Sequence, residues 1–72
     1  MTAAADILAN LLLLRTVLAA ERRRQGLSQD ALAAKIGRHP ITLSRWETGE
    51  RNPGLTDLVI WAHALGRRLD AV

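Results

Sequence analysis

His39 and His63 are the only histidines in a chain without cysteine. Neither has a second histidine or a carboxylate four residues away, the spacing that sets two metal ligands on one helical face. No glycine-rich phosphate loop is present, and no serine stands in a strand-to-helix elbow. Catalytic, metal-binding and cofactor readings therefore have little to stand on: His63 reads as a surface or half-buried helix residue, and His39 as a cap or polar contact at a helix start. The group of residues with recognition chemistry is Pro40, Ile41, Thr42, Ser44 and Arg45, within six consecutive positions. Pro40, Ile41, Ser44 and Arg45 would face outward from a helix, combining an apolar surface able to meet a thymine methyl with a guanidinium able to reach guanine O6 and N7. On spacing alone, Arg45 reads equally well as a solvated surface arginine.

Presenting such a face requires the elements around it. The stretch "GLSQDALAAKIGRHPITLSRWETGERNP", Gly26 to Pro53, contains two glycine stops about one helix apart, at Gly37 and Gly49. Ser28 is a good N-cap, and Asp30 sits in the following first turn, beside the positive end of the helix dipole. A helix is expected over Gln29 to Ile36, with Leu32 and Ile36 inward. Gly37 supplies a left-handed stop, and Pro40, with its fixed φ, opens the next helix, Pro40 to Thr48. Leu43, Trp46 and Thr42 are its inward candidates. Two short helices joined by a tight turn make a helix–turn–helix, whose second helix fits the major groove, roughly 12 Å wide, while its neighbour crosses the backbone.

Before this unit, nothing breaks a helix from Ala4 to Gln25. Ile7, Leu11, Leu14 and Leu18 make one core-facing stripe. Leu8, Leu12 and Ala19 form a second row, and Leu13 and Val17 widen the apolar arc beyond what one small core covers. Later helices wrap the arc, or part of it meets another subunit. Gly26 ends the helix, with Arg22, Arg23 and Arg24 in its last turn complementing the dipole. After the breaker-rich loop "GERNPG", a fourth helix is expected from Leu55, with Leu55, Leu58, Val59, Ala62 and Leu65 on one side and Trp61 beside Leu58 and Leu65. The tail "RRLDAV" is too short to assign.

With 72 residues there is room for one domain, 1–72, around one small core, and dimerisation would help so small a chain. The segments are 4–25, an N-terminal helix with a dimerisation surface, 28–48, the helix–turn–helix, and 55–65, the fourth helix. Apolar residues at 49%, rich in Ala and Leu with no Phe or Tyr, exclude a disordered chain and point to an all-α fold. The net charge of +3 permits a polyanionic partner without demanding one. Without cysteine, stability rests on packing and the natural compartment is a reducing cytoplasm. The run "ILANLLLLRTVLAA" is broken by Asn10, Arg15 and Thr16, falls short of about 18 uninterrupted apolar residues, and is read as soluble helix with no membrane partner.

The stretch from Gly26 to Pro53, continued by "LVIWAHALG", resembles the Cro and lambda-repressor type of helix-turn-helix domain, the XRE family of bacterial and phage regulators. The resemblance covers about Leu18 to Gly66. It rests on Leu27-Ser28-Gln29, Leu32-Ala33, Gly37, Leu43-Ser44-Arg45-Trp46-Glu47, Gly49, Arg51, Pro53 and Ala64-Leu65-Gly66 taken together. It implies a lambda-repressor-like fold of four to five helices that contacts double-stranded DNA, usually as a dimer on an inverted repeat, in a bacterial cytoplasm near the nucleoid. Carried onto this chain, Gln29 would contact a phosphate and steady the reading helix. Ser44 and Arg45 would face the groove or its flanking backbone, and Arg51 and Asn52 would meet the backbone from their loop. Arg22 and Glu47 resemble the family's half-buried pair linking first helix to third, a structural role shared with Trp46. Taken together with the outward residues of the third helix, the full DNA-facing set expected is Ser28, Gln29, Arg38, His39, Pro40, Ile41, Thr42, Ser44, Arg45, Arg51 and Asn52.

His39, Pro40 and Ile41 depart from the family's polar helix tip, which shifts specificity toward DNA shape and Arg45. Two functions follow. One is a transcriptional regulator, a repressor or autoregulator, binding a two-fold operator as a homodimer through Pro40 to Thr48. The other is a protein-interaction module such as an antitoxin or antiactivator, with a partner protein and secondary or no DNA binding.

Overall fold

The computed structural model describes residues 3–68, with side chains from residue 9 onward. Four helices follow one another: α1 (Ala3–Arg24), α2 (Gln29–Ile36), α3 (Pro40–Thr48) and α4 (Leu55–Ala64). No strand occurs among the described residues, and none of their helices is long and apolar enough to cross a membrane. The Ile7 and Leu8 side chains and the end of the "RRLDAV" tail lie outside the described residues.

Local chemistry sets each boundary. At the end of α1, Gly26 (φ 73°) turns the chain. Its N–H donates to the Arg23 carbonyl and that of Leu27 to the Arg22 carbonyl, the paired bonds of a Schellman stop. The same pair recurs at Gly37, where its own N–H reaches Ala34 and that of Arg38 reaches Ala33. Ser28 Oγ accepts from the Ala31 N–H at 3.0 Å and caps α2. His39 caps α3, its Nδ1 accepting from the Ile41 N–H at 3.1 Å. The Asp57 carboxylate accepts from the Gly54 N–H at 3.3 Å and ties down the start of α4.

The core gathers Leu18 of α1, Leu32, Ala33 and Ile36 of α2, Leu43 and Trp46 of α3, and Trp61, Ala62 and Leu65 of α4 and its C-terminus. The two indoles face one another at 5.7 Å between centroids, tilted by 35°, a contact that adds about 0.5–1.5 kcal/mol to the area they bury. Trp61 is wholly enclosed, and its indole N–H has no hydrogen-bond partner.

The expected apolar side of α4 needs correction. Leu55 is 74% exposed and Val59 is 50% exposed. At 100° per residue, Leu58, Trp61, Ala62 and Leu65 span an arc of about 100°, and Leu55 and Val59 fall on its flank. Enclosing the large indole of Trp61 turns the helix that way. On α1, Leu18 and Ala19 are buried and Leu11, Leu14 and Val17 are half-buried, while Leu12 and Leu13 stand 56% and 58% exposed. The fold therefore leaves part of the wide apolar arc uncovered.

Candidate nucleic-acid interface

Behind α3 lies a polar brace centred on Glu47. Arg22 Nε and Nη2 donate to its two carboxylate oxygens at 2.7 and 3.0 Å, and Gln29 Nε2 donates to Oε1 at 2.8 Å. The third arm of the guanidinium, Nη1, donates to the Leu27 carbonyl at 2.8 Å. One carboxylate thus fastens α1, α2 and α3, with only 10% of the Arg22 side chain and 3% of the Glu47 side chain exposed. A charge pair taken this far from water is tolerable because its lone pairs and protons find partners. Glu47 therefore points into the protein. Gln29, expected at a phosphate, gives one amide N–H to this brace, and a side-chain amide carries a second N–H that the Glu47 bond leaves over.

Further ties fasten α4 and the residues after it to the rest of the fold. Arg38 donates from Nε and Nη2 to Asp57 Oδ1 at 3.1 and 2.6 Å. The α2–α3 turn is thereby pinned to α4, and a guanidinium assigned to the DNA set is turned back onto the protein. At the opposite end, Glu21 accepts from Arg24 Nε at 2.5 Å and from Arg67 Nε and Nη2 at 3.2 and 3.0 Å, while Gln25 Nε2 donates to the Leu65 carbonyl at 2.8 Å. The hydrogen bonds from Arg24, then those from Arg67, hold the Glu21 carboxyl below the usual carboxylate range.

The outer side of α3 is open. Ile41 is 53% exposed, Arg45 is exposed, and Pro40, Thr42 and Ser44 are half-buried between that face and the body. Arg45 Nε lies 3.7 Å from the Glu50 carboxylate, a long, solvated pairing that holds the guanidinium only weakly. Ser28 and His39, exposed at the two helix starts, use side-chain acceptors as caps. With His39 Nδ1 accepting, the neutral ring carries its proton on Nε2 as a donor. Arg51 and Asn52 are exposed in the loop after Gly49, and the Arg51 N–H donates to the Arg45 carbonyl at 3.1 Å. The loop is thus anchored to the helix it leaves.

Reasoning from sequence missed Arg15. Its Nη1 donates to Asn52 Oδ1 at 3.4 Å, bringing α1 to the loop beyond α3. The available signal was a single cation inside the apolar run "LLLLRTVLAA", which registered only as a break in a membrane-like segment. Among the described residues, no cluster of His, Asp or Glu forms a metal site.

The fold has a counterpart among solved structures. The solved chain titled "Crystal Structure of Apo-HppE" matches with a TM-score of 0.68 and 32% identity, over 85% of this chain and 33% of its own length. This chain accordingly spans about a third of that protein. A comparison with curated proteins finds no match. A helix-turn-helix family model matches residues 18–72, from the buried Leu18 onward. On that match, the chain belongs to the Cro and lambda-repressor-like XRE family of helix-turn-helix proteins, a family of DNA-binding regulators.

Proposed function

We propose that this protein is a sequence-specific transcriptional regulator, a repressor or autoregulator, that binds a two-fold DNA operator as a homodimer through α3. The observation that carries this reading is the asymmetry of α3: the Arg22–Glu47–Gln29 brace grips it from behind while Ile41 and Arg45 stand in solvent on the other side. A reading helix has to be rigid on one face and available on the other. Arg45 is the base-reading candidate, with Ile41 for a thymine methyl. Ser28, the second N–H of Gln29, His39 Nε2, Arg51 and Asn52 suit phosphate oxygens. Pro40, Thr42 and Ser44 supply the groove surface between them. Arg38 joins this set only if its bond to Asp57 opens.

The exposed Leu12 and Leu13, neighbours on α1, support a self-association surface, since exposed apolar patches mark interfaces. A two-fold operator would place half-sites about one helical turn, 10 bp, apart. A regulator of this kind works in the cytoplasm, at the nucleoid. The same leucines also support a second reading, in which the apolar arc docks a partner protein in the manner of an antitoxin, with DNA binding retained or lost. Selection of bound sequences from a random duplex pool tests the choice. A palindromic motif supports the operator reading, and enrichment no better than chance rejects it.

A further inference from the structure

We propose that Arg15 is a DNA-phosphate contact, so that α1 joins the loop after α3 in gripping the backbone of one half-site. The inference rests on the DNA-binding reading above and adds to it a residue outside the helix–turn–helix. Arg15 and Gly49 are in close approach. A Cβ built at Gly49 would lie 2.9 Å from Arg15 Nη1, 3.0 Å from Cζ and 3.2 Å from Nη2. The glycine, already turned to φ 83°, leaves the room that the guanidinium occupies. Nη1 reaches on to Asn52 Oδ1, so the cation lies against the two residues that flank Glu50 and Arg51.

Among the described residues, no carboxylate lies within ion-pair distance of Arg15; the pairs found are Arg22–Glu47, Arg24–Glu21, Arg38–Asp57, Arg45–Glu50 and Arg67–Glu21. A guanidinium has five N–H donors. One serves Asn52 here, and the remaining donors form a fork that matches two oxygens of a phosphate. Because Asn52 accepts from Arg15 with its carbonyl oxygen, its NH2 group is left to donate to the same phosphate. Arg51, exposed in the same loop, supplies a second cation. Glu50, 68% exposed at its side chain, is the loop's one carboxylate and leans toward Arg45.

A purely structural role is the competing account: Arg15 stands by the C-terminal end of α3, where a cation favours the helix dipole, and it holds the loop. The two roles differ in salt dependence. Anisotropy titrations of a duplex carrying the selected site, and of its scrambled version, would compare the parent with Arg15→Gln, Arg15→Lys and Arg51→Gln over a series of salt concentrations. Each lost phosphate contact flattens the slope of log K against log salt by about 0.9. Arg15→Gln is expected to flatten it by that amount on both duplexes, with Arg15→Lys retaining the parent slope. If Arg51→Gln flattens the slope and Arg15→Gln leaves it at the parent value, the proposal is overturned and Arg15 only holds the loop. If the parent binds neither duplex, the DNA-binding reading itself falls, and this inference with it. A second measurement needs no variant. The Arg15 side-chain N–H resonances of the parent should shift on adding duplex, and resonances that stay in place contradict the contact.

Discussion

The two halves of α1 have the same helical backbone and opposite surroundings. From Leu18 to Arg24, and at Gln25 just past its end, the helix is fastened at several points. Leu18 is in the core, Arg22 grips Glu47, Glu21 holds Arg24 and Arg67, and Gln25 reaches the Leu65 carbonyl. From Leu11 to Val17 it leans on the body through half-buried side chains, leaves Leu12 and Leu13 in solvent, and has one long polar tie, Arg15 to Asn52. One half therefore builds the scaffold behind α3, and the other presents surface. Hydrophobicity alone would rank them the other way, since the leucine-richest part of the chain is the less buried. Helix and core form where apolar side chains meet a partner, and leucines with no facing element remain outside.

The largest effects should come from breaking the fastened half and what it holds. Trp46→Ala removes one member of the indole pair, and truncating a buried aromatic costs about 3–5 kcal/mol, comparable with the whole stability of a small domain. Loss of the cooperative thermal transition is expected; a melt near the parent temperature would remove Trp46 from the core. Glu47→Ala should come close behind, because it strands Arg22 as a buried cation without its partner, a loss of about 3–5 kcal/mol. Restoring the melt by a second change, Arg22→Met, would tie the damage to the stranded charge.

Acid tests the same half more gently. The folded-state pKa of Glu21 lies below its ordinary value through its hydrogen bonds with Arg24 and Arg67. Its contribution is therefore present above the ordinary carboxylate pKa and is lost as pH falls through the depressed one. Melting midpoints of the parent should drop across that acid range more than those of Glu21→Gln. Parallel curves for the two proteins would detach Glu21 from the acid response. The smallest change belongs to the presented half. Leu12→Ser and Leu13→Ser should move stability by no more than about 0.5 kcal/mol at low concentration, yet shift sedimentation at micromolar concentration toward monomer. A large drop in stability would show that these leucines are packed.

Much of this division can be read along the chain, and some of it cannot. The glycine stops, the Ser28 and His39 caps and the turn to Pro40 depend on neighbouring residues, so the helix boundaries between α1 and α3 follow from local chemistry. The inward position of Leu32, Leu43 and Trp46 follows from helical spacing. The rotation of α4 does not, because it depends on where the Trp61 indole finds space among three other helices; Leu55 and Val59 therefore end outside. The Arg22–Glu47 pairing entered through family resemblance, since 25 residues separate the partners and no local rule joins them. Arg38–Asp57 and Arg15–Asn52 are likewise long-range pairings. No periodicity signals which arginine faces a carboxylate and which faces solvent.

The claim that α3 reads DNA with its open face is tested most directly by Arg45→Ala, titrated on the selected operator and on duplexes changed one base pair at a time. Arg45 is exposed, and its pairing with Glu50 is long, so its removal should leave the melt close to the parent's. The expected result is a loss of about 1–3 kcal/mol on the operator, with preference relaxed at one base pair of each half-site and little change on scrambled DNA. Equal binding of parent and Arg45→Ala to every duplex, or an equal weakening on all of them, would contradict base reading by this helix.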